Sequence, residues 1–453
     1  MSLWLKRNQK DVMKFSKGYI DYLNNSKTER ECLKESVKLA IDNGYKDMDE
    51  IIKAQGKLKK GDKVYRINMD KNVILFNIGS ESLTKGLNVL GAHIDSPRLD
   101  IKQRPVYEKD GLVLLKTHYY GGVKKYQWVA RPLAMHGVVC KKDGTIINVN
   151  IGSDVNDPVI GISDLLPHLA AEQMDKKASK VIEGEDLNPL IGSIPQDSSS
   201  ENSTKEAILT LLKDKYNIEE DDFISSELEL VPADMARDYG LDRSMIIGYG
   251  HDDRVCAYTS LCAFIDTKDV KRTSCCVLVD KEEVGSNGAS GMHSRFFENT
   301  IAELLDLTGE YTELNLRRCL SESYVLSSDV SAASDPNYLS VNDPYNSCHL
   351  SKGICLNKYT GARGKGGCND ANPEYIAKLR NIFDSNDVVF QTAELGKVDQ
   401  GGGGTIAYIL ANLNMHVIDA GIAVQNMHAP SEVLSKVDVY EAYRAYKVFL
   451  EKI

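Results

Sequence analysis

Residues 274–286 read SCCVLVDKEEVGS, an apolar run that leads into two adjacent carboxylates and a glycine. The apolar run predicts a buried strand. Because neighbours on an extended chain point to opposite sides, Glu282 and Glu283 can take different roles. Metal-assisted hydrolysis needs such a division between a metal ligand and a general base. A Glu-Glu pair alone is usually a solvated surface feature, so the interpretation depends on the rest of the chain.

Four further clusters carry the residue types that bind metals, and most of them end an apolar run. They are His93 and Asp95 in VLGAHIDSP (residues 89–97), Asp252 in GHDDR (250–254), Asp329 in VLSSD (325–329) and His428 in QNMHAP (425–430). In open α/β sheets, functional sites gather at the carboxyl ends of strands. Imidazole and carboxylate ligands without thiolate suit Zn²⁺, Mn²⁺ or Co²⁺ in a hydrolytic site.

Each cluster also has an ordinary structural interpretation. Asp252 and Asp253 could cap the helix that follows them, Asp329 could belong to a turn, and His428 to a loop. Asp95 favours the metal interpretation, because it lies on the same side of an extended chain as His93 and could accept its free ring N–H. The joint occurrence of all five clusters favours a metal site.

The composition excludes some function classes. The 453 residues are 42% apolar and 26% charged, with a net charge of −10 and no basic stripe. We therefore expect neither nucleic acid nor a membrane as a partner. The ten cysteines are scattered, and the start of the chain does not resemble a signal peptide, so we expect a reducing, cytoplasmic location.

The element pattern changes twice along the chain. Residues 1–98 and 245–453 alternate helices and buried strands, whereas residues 99–244 show short strands and turns. We interpret the middle block as a β-rich domain inserted into an α/β domain. Detailed predictions include helical structure over 10–43 and buried strands over 72–78 and 87–92. They also include short strands joined by Gly and Asp turns in the middle block, among them 107–116, a loop over 183–204, and a tight glycine turn over 399–405 before a helix.

The quoted motifs resemble the M18 metallopeptidases, the aspartyl aminopeptidase and aminopeptidase I family. GAHIDSP (91–97) and DKEEVGS (280–286) are similar to two of its signatures, and the likeness continues through SSDV (327–330) to NMH (426–428), in the family's order. The resemblance implies a mixed-sheet zinc-peptidase domain with helices on both faces and an inserted β-rich assembly domain.

The resemblance also implies roles for the residues. His93, Asp252 and Asp329 would hold one Zn²⁺, and Glu283, His428 and the shared Asp252 a second, with Mn²⁺ or Co²⁺ as alternatives. Asp95 would orient His93. Glu282 would be the general base for a metal-activated water that attacks the first peptide bond of a peptide substrate.

The family assembles into homo-oligomers, commonly a tetrahedral dodecamer, through the inserted domain. His168 in LPHLA (166–170) matches a family histidine that reaches a neighbouring subunit's site, so it is a candidate substrate-binding residue in trans; packing within its own domain is the alternative. Members with acidic substrates carry Lys in an Ile-Lys-x-Asn stretch, where this chain has Cys355. Both an acidic and a neutral N-terminal preference stay open.

Three functions are compatible with these residues. The leading hypothesis is a metallo-aminopeptidase, a hydrolase acting on peptide bonds. An N-acyl amino acid deacylase would use the same metal chemistry, and a catalytically inactive self-assembling scaffold would need none of it. Dependence on a free substrate α-amine separates the first two.

Overall fold

The computed structural model describes residues 2–197 and 202–453 of the chain. In this part the β-strands are β1 Lys46–Asp47, β2 Lys63–Asn68, β3 Asn72–Asn77, β4 Asn88–His93, β5 Arg98–Lys109, β6 Leu112–Tyr120, β7 Leu133–Cys140, β8 Ile146–Ile151, β9 Leu190–Gly192, β10 Ser226–Pro232, β11 Arg237–Tyr239, β12 Met245–Gly248, β13 Ser274–Val279, β14 Tyr324–Ser327, β15 Ser331–Ala332, β16 Ile354–Asn357, β17 Phe390–Thr392, β18 His416–Gly421, β19 Ala423–Gln425 and β20 Glu432–Ser435.

The α-helices of the same residues are α1 Gln9–Asn24, α2 Glu29–Asp42, α3 Met48–Lys53, α4 Ala171–Met174, α5 Ser203–Tyr216, α6 His251–Asp266, α7 Phe296–Leu307, α8 Glu313–Ser321, α9 Pro373–Ser385, α10 Ala407–Ala411 and α11 Lys436–Lys452. Among these described helices, none has both the length and the apolar character that crossing a membrane requires.

The chain divides into two compact units. The first comprises the chain up to Asp95, Ala236–Met427 and Glu432–Ile453, and the second comprises Ser96–Met235 and His428–Ser431. The predicted inserted domain over 99–244 covers most of the second unit, and its role in assembly stays a prediction. Strand β11 falls within the predicted block but pairs with β12 in a sheet of the first unit.

The first unit is built on a nine-stranded mixed sheet with the order β1-β2-β3-β13-β4-β14-β18-β16-β17. Its centre, β13, β4, β14 and β18, is parallel. Successive residues of β13 enter different cores: Cys276 and Leu278 pack with α6 and α11, whereas Cys275 and Val277 pack with α7 and α8. Burial on both faces explains why these strands are continuous apolar runs. The predicted α/β class, a mixed sheet with helices on both faces, is confirmed.

The second unit contains a six-stranded sheet with the order β8-β7-β10-β5-β6-β9. All of its pairings are antiparallel. Helix α5 belongs to the same unit. Residues 198–201 of the predicted loop over 183–204 lie outside the described residues.

The structure adds detail to two predictions. The segment 10–43, predicted as helical, consists of two helices, because Thr28 forms a capping box with Glu31 and starts α2 afresh. The strand over 107–116 is a hairpin, because Asp110 and Gly111 both have positive φ, at 52° and 73°, and turn the chain between β5 and β6.

Candidate metal centre

The carboxyl ends of three parallel strands lie at one edge of the nine-stranded sheet. Strand β4 lies between β13 and β14, with Val279 opposite His93 and Ser327 opposite Gly91. His93 ends β4, Asp329 follows β14 by two residues, and Glu282 follows β13 by three. The parallel register therefore brings residues together that lie far apart in the sequence.

His93, Asp252 and Asp329 form the centre of the group. Each offers a ligand atom, and these atoms all lie within 4.8 Å of one another. The Nε2 atom of His93 is 3.1 Å from Oδ1 of Asp252 and 3.9 Å from Oδ1 of Asp329. His93 is only 2% exposed, so the cluster is buried. One imidazole and two carboxylates in this arrangement fit the donor set of a zinc ion.

Asp95 connects the imidazole with the Glu-Glu pair. The Nδ1 atom of His93 is 3.1 Å from the backbone oxygen of Asp95 and 3.3 Å from its Oδ1. The two carboxylate oxygens of Asp95 also accept the backbone N–H groups of Glu282 and Glu283, at 3.1 and 3.2 Å. One buried side chain thus contacts both parts of the predicted site.

Glu282 and Glu283 lie in a short 3₁₀ turn, Glu282–Val284. Gly285 ends the turn with φ of +89°, a conformation that glycine adopts without a steric penalty. The Glu282 side chain is 15% exposed, and its Oε2 atom is 4.0 Å from Nε2 of His93. It therefore lies beside the cluster and still reaches solvent.

The start of α6 holds the central carboxylate. Asp252 and Asp253 have non-helical backbone angles. The N-cap residue is Gly250, which has no side chain to cap the helix. The Asp252 N–H donates to Oε2 of Glu432 at 3.1 Å, and Oδ2 of Asp253 accepts the His93 N–H at 3.3 Å. The Asp252–Asp253 peptide bond is cis.

The crowding of carboxylates shifts the pKa values of the cluster. Burial acts to lower the pKa of His93, but its bonds to Asp252 and Asp95 raise that pKa well above the usual value. Burial, together with the charges of Asp253 and Asp252, raises the pKa of Asp329 well above the usual range. A divalent cation would offset this mutual repulsion.

The two remaining predicted site histidines belong to the second unit. The Nδ1 atom of His428 is 3.1 Å from the backbone oxygen of Gly122. His168 lies exposed in the 3₁₀ turn Pro167–Leu169, with Leu165 and Leu169 also exposed nearby. The predicted roles of both histidines stay predictions.

Sequence reasoning missed two carboxylates that contact the cluster. Glu432 is 1% exposed and bonds the backbone of Asp252, although 180 residues separate them. The sequence allows Asp253 to be interpreted as a helix cap, but nothing in it indicates the bond to the His93 backbone. The only signal in the sequence is that Glu432 closely follows His428.

Comparisons with known proteins agree with this geometry. The family model of the aminopeptidase I zinc metalloproteases (M18) matches residues 22–450. A probable M18 family aminopeptidase 1 of Clostridium acetobutylicum is 59% identical over 97% of this chain and 95% of its own length. The crystal structure of an M18 family aminopeptidase from Thermotoga maritima has a TM-score of 0.97 at 41% identity, covering 100% of this chain and 99% of that one. The S. cerevisiae mApe1 dodecamer shares the fold, with a TM-score of 0.77 at 20% identity over 96% of each chain.

The fold and the cluster at the sheet edge define a metallopeptidase. The chain belongs to the M18 family, the aminopeptidase I zinc metalloproteases. It is a metallo-aminopeptidase, a hydrolase acting on peptide bonds, and this supports the leading hypothesis over the deacylase and the inactive scaffold.

Proposed function

We propose that the chain is a dinuclear zinc aminopeptidase that removes N-terminal residues from peptides. His93, Asp252 and Asp329 hold one zinc, and Asp252, Glu283 and His428 hold the other. The observation that carries the proposal is the buried cluster of His93, Asp252 and Asp329, whose ligand atoms lie within 4.8 Å of one another. The donor set also accepts Mn²⁺ or Co²⁺.

Glu282 is the general base in this proposal. Its carboxylate is partly exposed and lies 4.0 Å from the imidazole nitrogen of His93, so a water molecule can approach both. Bound zinc would supply Lewis-acid polarisation of the peptide carbonyl and of water. Glu282 accepts a proton from the attacking water and then delivers a proton to the leaving amine.

Asp95 is a positioning residue in this proposal. It holds the ring of His93 on one side and the backbone of Glu282 and Glu283 on the other. A carboxylate that bonds the second nitrogen of a ligand histidine fixes its tautomer and raises its basicity. The same side chain therefore orients the ligand and the base toward each other.

The substrate preference is proposed to be broad or neutral rather than strictly acidic. Cys355 is fully buried, and its thiol donates to Oδ1 of Asn357 at 3.0 Å. A neutral thiol at this position offers no positive charge to an acidic side chain of the substrate.

A panel of aminoacyl-p-nitroanilides tests the proposal. The metal-free protein, prepared with a chelator, is assayed before and after addition of Zn²⁺, Mn²⁺ or Co²⁺. We expect turnover to return with metal and to require a free α-amine, with Leu or Met substrates cleaved at least as well as Asp or Glu substrates. Cleavage of acetyl-blocked substrates alone would instead support a deacylase.

Assembly and location complete the proposal. We propose a homo-oligomer, with the tetrahedral dodecamer as the expected form, supported by the related S. cerevisiae dodecamer. His168 contacts substrate in a neighbouring subunit, which its exposure in the single chain allows. A reducing cytoplasm agrees with the ten cysteines, all of which are free thiols.

A further inference from the structure

The loop that carries the proposed general base has few buried residues. Residues 280–295 connect β13 to α7 and contain no helix or strand apart from the 3₁₀ turn of Glu282. Within residues 281–290, Ser286 and Ser290 are buried, whereas Val284 and residues 287–289 are exposed. An exposed loop keeps one conformation only where specific contacts hold it. The bonds to Asp95 hold the start of this loop, so its remainder depends on other contacts.

Ser290 fastens the far part of the loop to the sheet. Its Oγ atom donates to Oδ2 of Asp280 at 2.6 Å, and the two residues are 3% and 1% exposed. Asp280 directly follows β13, so this bond closes the loop on its own starting point. The backbone oxygen of Ser290 also accepts the side-chain amide of Asn72 at the start of β3. The bond to Asp280 does not require a charge, because a carboxyl oxygen accepts a hydroxyl proton in either protonation state.

A chain of contacts leads from Ser290 back to the base. Gly291 packs against the backbone oxygen of Ser286 so closely that a side chain on Gly291 would not fit. The N–H of Ser286 donates to the backbone oxygen of Lys281 at 2.6 Å. Lys281 directly precedes Glu282 in the chain. Loss of the bond at Ser290 would therefore loosen the segment that holds the carboxylate of Glu282 in place.

We propose that Ser290 is a positioning residue for the general base, an inference that rests on the proposed role of Glu282. The hydroxyl of Ser290 acts through the loop and contacts neither the metal cluster nor the reacting atoms. A displacement of about 1 Å at a reacting group can lower a rate by about 10²-fold. A loosened loop should therefore reduce kcat even in protein that is folded and saturated with zinc.

The first test is Ser290→Ala, which removes the donor and leaves the backbone contact with Asn72. Measuring kcat and KM on leucyl-p-nitroanilide at saturating Zn²⁺ prevents a change in zinc affinity from affecting kcat. We expect kcat to fall about 10- to 100-fold and KM to change little. Ser290→Thr keeps the hydroxyl and should retain a higher kcat than Ser290→Ala. Wild-type kcat in Ser290→Ala, or equal losses in the Ala and Thr variants, would overturn the proposal.

A double-mutant cycle shows whether Ser290 acts through Glu282. If it does, Ser290→Ala should lower the residual kcat of Glu282→Gln little further, because the base that Ser290 positions is already gone. A purely structural role would lower kcat by the same factor in both backgrounds, and that result would contradict the proposal. Full activity of Glu282→Gln would disprove the base and with it this role of Ser290. Inactive Glu282→Gln with wild-type kcat in Ser290→Ala would disprove only the role of Ser290.

A matched control removes a buried serine hydroxyl far from the metal cluster. Ser323 is 0% exposed, donates to the backbone oxygen of Cys319 at 2.7 Å and accepts the N–H of Leu87 at 2.9 Å. It precedes β14, at the opposite end of that strand from Asp329. In urea unfolding, Ser323→Ala should lose stability at least as much as Ser290→Ala, but it should keep its kcat. A comparable loss of kcat in Ser323→Ala would show that turnover follows overall stability and would contradict the proposal.

Discussion

Among single side chains, Glu282 has the most direct consequence for activity. Its carboxylate neighbours the metal cluster without belonging to the proposed ligands, so Glu282→Gln should retain bound metal and lose turnover. We expect kcat to fall about 10²- to 10⁴-fold, the usual contribution of a general base. The measurement is kcat on a leucyl-p-nitroanilide, together with the metal content of the purified variant. Glu374→Gln, an exposed change on α9, serves as the control. Full activity in Glu282→Gln would disprove the assignment of the base.

His251 makes stability depend on pH. It is fully buried, its Nδ1 lies 2.6 Å from the Tyr19 hydroxyl, and burial lowers its pKa to about 3. In the unfolded chain the pKa is about 6.5. Between these values the unfolded state binds more protons, so the contribution of His251 is fully present above about pH 6.5 and is lost as the pH falls toward 3.

His251→Gln should therefore reduce the acid sensitivity of the fold. Gln retains an acceptor for Tyr19 but cannot take up the proton. We expect the free energy of unfolding to fall less steeply below pH 6.5, by about 1.4 kcal/mol per pH unit. Urea unfolding of the metal-free protein at pH 5 and pH 7 measures this slope. An unchanged slope would show that His251 does not titrate on unfolding.

At the element scale, the central strands determine where the site residues lie. Leu278 of β13 is 0% exposed and lies opposite Ala92 of β4, within the core that α6 and α11 cover. Leu278→Ala should lower the free energy of unfolding by about 2 to 5 kcal/mol, through lost apolar burial and the cavity that remains. Leu314→Ala, on the exposed face of α8 at 56% exposure, should change it by less than about 0.5 kcal/mol. If denaturant unfolding gave the same loss of unfolding free energy for Leu278→Ala and Leu314→Ala, this placement of the core would be contradicted.

The same strands explain how much the sequence could predict. His93 and Asp329 were identified because apolar runs mark strands, and the carboxyl ends of parallel strands share one edge. The break before α2 and the hairpin between β5 and β6 were missed, although a capping box at Thr28 and the pair Asp110-Gly111 signal both. The bond between Glu432 and the backbone of Asp252 had no comparable signal. Glu432 lies 180 residues after Asp252, and the pairing of β20 with β12 brings it near.

At the scale of the whole molecule, the proposed trans role of His168 predicts complementation between two inactive subunits. Subunits with His168→Ala keep Glu282, and subunits with Glu282→Gln keep His168. If His168 serves a neighbour's site, a His168→Ala subunit beside a Glu282→Gln subunit forms one complete site.

Co-expression of the two variants in equal amounts should then restore activity above that of either variant alone. With random assembly around pairwise contacts, about a quarter of the sites should be complete. The measurement is kcat per subunit on the co-purified oligomer. Light scattering gives the mass of that oligomer, which for a dodecamer should be twelve times the mass of one chain. A mixture of tagged and untagged Glu282→Gln subunits controls for assembly and should stay inactive. If His168 acts only within its own subunit, the mixture should be no more active than either variant alone. Each subunit then lacks one residue that its neighbour cannot supply.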